Sequence, residues 1–234
     1  MTTIWSQQIY PGSVLPEYPR PQFRRENWIC LNGPWDYTFT KKSKRPERPD
    51  GQILVPFSPE CLRSGVSRQL RPGEYLWYFR FVYLNAVPEN QRLLLHFGAV
   101  DQRCSVWWNG HLLGKNENGY LSFSFDVTDY LQEGNNTLWV RVQDDSDSGS
   151  QSRGKQSFKP HGMFYTAQSG IWQTVWMEWV PENRIESLKI TPLYDESSVR
   201  LEITLTQPQN MEIRMLWNRD SYCHYVEKED FPTG

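Results

Sequence analysis

Three kinds of residue in this 234-residue chain could do chemistry: carboxylates able to pair, imidazoles and thiols able to hold a metal, and a loop mixing cations with aromatic rings. The loop is the richest. Residues 144–162 form the longest stretch without strand patterning, and they and their exit carry Arg153, Lys155, Gln156, His161, Phe164 and Tyr165. Guanidinium, ammonium and amide groups donate hydrogen bonds to hydroxyls or to a carboxylate, and flat rings stack on apolar C–H faces. The same composition also suits a solvated basic loop with an aromatic anchor.

The other constellations are weaker. Asp101 and Glu178 stand near strands and read as turn or surface residues, while Asp126 and Asp129 read as caps of one helical turn. No catalytic residue is assigned among them. Asp144-Asp145-Ser146-Asp147 gathers oxygen ligands, but Gly149 is misplaced for a calcium loop and no acidic residue follows at the twelfth position. A solvated turn is the expectation. His96, His111, His161 and His224 are dispersed: His96 within a strand as a satisfied core or face residue, His111 at a hairpin tip. Cys30, Cys61, Cys104 and Cys223 are scattered and read as small core hydrophobes in a reducing compartment. Neither a metal site nor a cofactor is expected.

The elements that must position these residues are strands. Leu121 to Val127 alternates apolar and polar residues, as do the stretches around Leu138, Val140 and Val142 and from Val199 to Leu205. Residues at i and i+2 share one face, so each is a half-buried strand. Tyr75 to Leu84, Leu93 to Phe97 and Ile171 to Trp179 are apolar on both faces and read as inner strands covered on two sides. Asn109-Gly110 between apolar runs predicts a tight hairpin. Asp126 to Leu131 predicts a single helical turn. Residues 41–52 are polar and proline-broken, a solvated connection. The pattern resets near Val180-Pro181-Glu182-Asn183, after which strands near 185–191, 199–206 and 211–217 are too few to close a second sandwich. The fold class is all-β, with packed antiparallel sheets.

Bulk composition narrows the partners. Acidic (27) and basic (25) side chains nearly cancel, which leaves no long-range field for nucleic acid or an anionic membrane. A mean hydropathy of -0.68 without a long apolar run speaks against a spanning helix. The first residues, Met1 to Ser6, lack the basic start and apolar stretch of a secretory leader, which points to the cytoplasm. Eleven Trp, twelve Tyr and eleven Phe exceed what a generic core needs, and suit either a sheet-rich interior or sugar stacking by the rings on loops.

Several blocks resemble glycoside hydrolase family 2 proteins. They are Glu26-Asn27-Trp28 with Leu31-Asn32-Gly33-Pro34-Trp35, Val55-Pro56-Phe57 with Glu60, Trp77-Tyr78-Phe79-Arg80, Leu94 to Asp101, Val106 to Gly110, Gly119-Tyr120, Gly154-Lys155-Gln156 and Ser169 to Trp176. The resemblance spans residues 19–180. It implies a jelly-roll, galactose-binding-like domain at residues 1–182 and, at 183–234, the truncated start of an immunoglobulin-like sandwich. It further implies a catalytic barrel of the same polypeptide that is missing from these residues. The chain would then be the non-catalytic region of an enzyme acting on β-glycosides, with the loop residues Arg153 to Tyr165 lining one side of the substrate pocket. Galactose- and glucuronate-specific members often carry a substrate-binding Asp five residues before the small-Gly-Ile motif. Phe164 stands there, so the resemblance gives no support to either sugar. The other reading is a stand-alone carbohydrate-binding or interaction module, and the edges of an incomplete sandwich also offer a route to a homo-oligomer.

Overall fold

The computed structural model describes residues 8–20, 22–208, 214–215 and 224–225. Its contacts divide the chain into two units, Met1–Pro181 and Glu182–Gly234. The first holds two antiparallel sheets. One has six strands in the order β3 (Gly51–Val55), β2 (Gly33–Thr40), β4 (Tyr75–Leu84), β10 (Gly134–Gln143), β7 (Arg103–Trp108) and β8 (His111–Asn116). The other has four, β1 (Trp28–Cys30), β14 (Val175–Pro181), β5 (Gln91–Phe97) and β9 (Phe123–Asp126). The all-β sandwich expected from the period-two patterning is what forms.

One buried cluster joins the two sheets. Leu76, Tyr78, Leu138, Val140, Val106 and Trp108 come from the first, and Leu93, Leu95, Phe97, Val175 and Met177 from the second. Each set is spaced by two, which puts alternate side chains in water-free packing. Arg80 falls on the inward parity of β4, an awkward place for a charge. It is accommodated because its Nη1 donates to the carbonyls of Leu31 (2.9 Å) and Asn32 (3.2 Å), where the chain passes from β1 to β2.

Asn109 and Gly110 form the β7–β8 turn with φ of 49° and 84°, the left-handed pair that a two-residue hairpin demands. A single 3₁₀ turn at Thr128–Tyr130 stands where one helical turn was expected, and Asp126 Oδ1 accepts the Thr128 N–H. Two expectations are corrected. Tyr75–Leu84 is covered by the opposite sheet on one face only; on the other, Phe81 and Tyr83 are 60% and 65% exposed. Ile171 to Trp179 is two strands, because β13 (Gly170–Ile171) pairs with β6 (Val100–Asp101) before the chain steps over to β14.

In the second unit β15 (Ile185–Leu193) and β16 (Ser198–Leu205) form an antiparallel hairpin around a turn at Tyr194–Glu196. Lys189 pairs with Glu202 across it at 3.1 Å. Of the strand expected at 211–217, β17 (Arg214–Met215) is described, paired with β18 (His224–Tyr225); the remainder, like Pro21, Cys223 and the first seven residues, lies outside the described residues.

Candidate functional site

The candidate site is the end of the sandwich where β6, β13 and the 144–168 segment meet. Its anchor is the Ser169-Gly170-Ile171 turn. Gly170 has φ of 79°, and a Cβ there would lie 2.1 Å from the Tyr78 hydroxyl oxygen, which accepts the Ile171 N–H at 3.2 Å. Only glycine satisfies both the left-handed backbone and the close approach. The neighbouring Ser169 N–H donates to Glu60 Oε2 (3.1 Å), and Ser169 Oγ to Asp144 Oδ2 (2.9 Å).

The loop is more ordered than its composition suggests. Gln156 and Ser157 (β11) pair in parallel with Tyr165 and Thr166 (β12), so both ends of the 157–164 excursion are pinned. Gln156 is buried and acts as a latch. Its Nε2 donates to Asp101 Oδ2 (3.2 Å), and its Oε1 accepts the Gln168 N–H. The Asp144–Asp147 turn, expected to be solvated, is instead largely internal. Asp144 and Ser146 are buried, Asp144 accepting from the Ser146 N–H (2.7 Å) and hydroxyl (3.1 Å). Asp147 takes the Phe158 N–H (2.9 Å) and Ser157 Oγ (3.1 Å), and Arg153 donates to the Asp147 carbonyl.

The six residues singled out by sequence therefore separate. Gln156 and Arg153 are consumed in holding the loop. Lys155 is exposed, its backbone N–H donating to the Tyr165 hydroxyl at 3.2 Å. His161 stacks on Phe164 with ring centroids 5.0 Å apart, and Phe164 and Tyr165 are 41% and 52% exposed. The rings and the ammonium face solvent; the amide and guanidinium set their position.

Sequence reasoning missed the carboxyl groups beneath. Asp101, expected at a turn or surface, is buried in β6. Burial and the neighbouring Asp144 charge push it up to about 7, against the Gln156 hydrogen bond. Burial likewise lifts Glu60 to about 7 and raises Asp144. Gly119 gives Asp101 its room, since a Cβ at 119 would lie 2.2 Å from Asp101 Oδ1. The Gly119 carbonyl accepts the Trp172 indole N–H at 2.8 Å, and Tyr120 meets the Trp172 ring edge-on. The signal available was the Gly119-Tyr120 pair itself, a glycine before a ring in a polar loop.

Glu178 overturns its expected surface placement more sharply. It is fully buried on β14, with Arg20 against Oε1, Arg25 Nε at 3.3 Å, His96 Nε2 at 3.1 Å and the Tyr18 hydroxyl donating at 2.6 Å. Burial alone would raise this acid, but the His96 and Tyr18 hydrogen bonds and the Arg20 charge bring it down to about 2. His96 is the satisfied core residue expected. It stacks on Trp176, its Nδ1 lies 2.7 Å from Ser124 Oγ, and its Nε2 lies 3.1 Å from Glu178 Oε1 and 3.2 Å from Arg20 Nη2, so both ring nitrogens have partners. Cys104 is buried, as a small hydrophobe should be; Cys30 and Cys61 are half-buried, and these three thiols are free.

Comparisons with known proteins bear on this geometry. Residues 68–180 match the family model described as the glycosyl hydrolase 2 galactose-binding domain-like. The chain is 30% identical over 209 residues to the β-galactosidase large subunit of Latilactobacillus sakei, covering 88% of this chain and 30% of the relative. It is 29% identical over 169 residues to the β-galactosidase of Clostridium acetobutylicum, covering 70% of this chain and 17% of that protein. Thus it spans less than a third of the length of either. Among solved structures, the Faecalibacterium prausnitzii β-glucuronidase superposes with a TM-score of 0.61 at 24% identity, over 82% of this chain and 37% of the other. A Ruminococcus gnavus β-glucuronidase gives 0.63 at 21%, over 82% and 34%. Both structures share the fold. Among the described residues no helix is long and apolar enough to cross a membrane.

Proposed function

Since the chain belongs to glycoside hydrolase family 2 through its galactose-binding-like domain at residues 68–180, we propose that it is the non-catalytic, carbohydrate-binding N-terminal region of a β-glycoside hydrolase. On this reading the bond-cleaving acids come from a barrel elsewhere in the same polypeptide. His161, Phe164 and Tyr165 form one wall of its substrate pocket, Lys155 donates to substrate oxygens, and Arg153 and Gln156 hold the wall in place. Residues 183–234 begin an immunoglobulin-like domain, and the protein works in the cytoplasm.

The observation that carries the reading is the Gln156 latch, which ties the ring-bearing loop to Asp101 and so to the sandwich core. A loop meant only to be solvated has no need of a buried amide. The carboxyl groups nearby support the division of labour. Asp144 and Glu60 are engaged by backbone and hydroxyl donors and Asp101 by Gln156. A retaining mechanism needs two acids about 5–5.5 Å apart across an open bond, not acids locked in the fold. Phe164 offers no acceptor for sugar hydroxyls, so the terminal sugar is left to contacts from the rest of the enzyme.

The test is hydrolysis of aryl β-galactoside, β-glucoside, β-mannoside and β-glucuronide. The 234-residue chain should release no phenol above buffer. The chain continued through its downstream reading frame should release it from at least one substrate. In that longer protein Tyr165→Ala should raise KM about tenfold with a smaller change in kcat, the signature of lost ground-state binding. Turnover by the short chain alone would overturn the proposal.

A further inference from the structure

The outer face of the six-stranded sheet carries a second ring system that the loop site does not use. Cross-strand register places Asp36, Phe79, Trp139 and Trp107 in one row over β2, β4, β10 and β7, and Thr38, Trp77, Arg141 and Ser105 in the next. Phe79 and Trp139 lie 4.5 Å apart at 34°, Trp77 and Trp107 stack at 5.5 Å, and Trp139 meets Trp77 edge-on. Solvent-face positions of a half-buried strand are ordinarily polar; on β4 they are Tyr75, Trp77, Phe79, Phe81 and Tyr83. The proline-bounded segment Lys44 to Pro49 stands over the rings as a wall, with Arg45 5.3 Å from the Trp139 ring centre. Between wall and sheet runs an open groove of about 990 Å³.

We propose that this groove is a glycan-binding site distinct from the loop wall, taking one pyranose ring of an oligosaccharide against Trp139 and Phe79. The rim decides the chemistry of the occupant. Asp36 and Glu47 are acceptors and Lys44, Arg45 and Arg48 are donors, all around an aromatic floor. Sugar hydroxyls both donate and accept while the C–H face of the same ring is apolar, so one pyranoside satisfies floor and rim together. An apolar protein surface would desolvate the rim's carboxylates and cations while offering them no new hydrogen bonds. Pro46 and Pro49 limit the wall's backbone freedom, which lowers the ordering cost of binding a weakly held ligand. The inference does not depend on the loop site, because no residue is shared.

The experiment is an amide and indole NMR titration of the 234-residue chain with methyl β-galactoside, methyl β-glucoside, methyl β-glucuronide and cellotetraose. The expected result is saturable, millimolar binding of at least one probe, with shifts at Trp139, Phe79 and Thr38 and none at His161 or Tyr165. Trp139→Ala should weaken it about tenfold or more, equivalent to about 1.4 kcal/mol. Asp36→Asn and Arg45→Ala, which leave the sheet's rings in place, should each weaken it several-fold. Absence of saturable shifts with all four probes overturns the proposal. So do shifts confined to the 153–165 loop, which would leave the loop reading standing. Self-association that Trp139→Ala dissolves would also overturn it, assigning the rings to a contact between copies.

Discussion

Two buried acids in this protein sit on opposite sides of their ordinary titration range, and the difference lies in what surrounds them. Glu178 faces Arg20, Arg25, His96 and Tyr18 and is held near 2. Asp101 faces Gln156 and the Asp144 charge and is pushed to about 7. The consequences for stability have opposite signs. Below its folded value Glu178 is protonated in both states, so its contribution grows as pH rises from about 2 to about 4.5 and is fully present above. Asp101 and Glu60 bind more protons folded than unfolded between about 4 and 7, so stability falls through that window and is flat beyond it. Asp101→Asn should therefore melt progressively higher relative to the parent as pH is raised from 4 to 7. Glu178→Gln should cost about 3–5 kcal/mol near neutrality, because two arginines lose their buried anion, and that cost should shrink toward pH 2. Calorimetry across this range separates the two; parallel melting profiles for parent and variants would mean that neither acid titrates differently on folding.

At the scale of the element, Gly170 is the position where backbone and packing constrain each other most tightly. With φ at 79° and the Tyr78 oxygen 2.1 Å from where a Cβ would sit, Gly170→Ala should cost about 2–4 kcal/mol in urea unfolding. Part of that cost is contact and part is backbone strain. In a Tyr78→Phe background the clash with the oxygen disappears while the ring carbon at 3.2 Å and Leu76 Cδ2 at 3.3 Å remain, so the alanine should cost less there; equal costs in both backgrounds would assign the effect to φ and to those remaining contacts. This constraint also shows what the sequence could reveal. The β7–β8 hairpin was legible because Asn109-Gly110 encodes its own turn, and β9, β10 and β16 because a period of two survives in any context. Glu178 and Asp101 were not legible. A carboxylate between apolar neighbours looks the same whether it faces water or an arginine brought from 158 residues away. The ring-bearing loop was visible by composition, yet its β11–β12 pairing rests on two residues at each end, too few to leave a periodic mark. The outer rings of β4 read as a strand covered twice, because nothing local tells a ring bound for a core from one that lines a groove.

For the molecule as a whole, the two units differ in how much they bury. The first has a continuous core drawn from both sheets, and β10 is hydrogen-bonded on both edges, to β4 and to β7. In the second, none of the described residues from Glu182 to Pro208 is fully buried, and among the described residues β15 and β16 pair with each other and with no further strand. An isolated two-stranded hairpin is marginal in water, since the backbone entropy it costs is not offset by apolar burial. Native-state hydrogen exchange should then report two stabilities in one chain. Amides of β4, β10 and β14 should exchange only through global opening, while those of β15 and β16 should exchange at least about a hundredfold faster, through local fraying. Repeating the measurement on the chain continued into its downstream reading frame tests the proposal that residues 183–234 begin an immunoglobulin-like sandwich. Further strands packed on the half-buried Leu188, Leu201 and Ile203 should bring the hairpin's protection up toward that of the first unit. A hairpin already as protected as β10 in the short chain would show that it buries its apolar face without them, and the second domain would need another account.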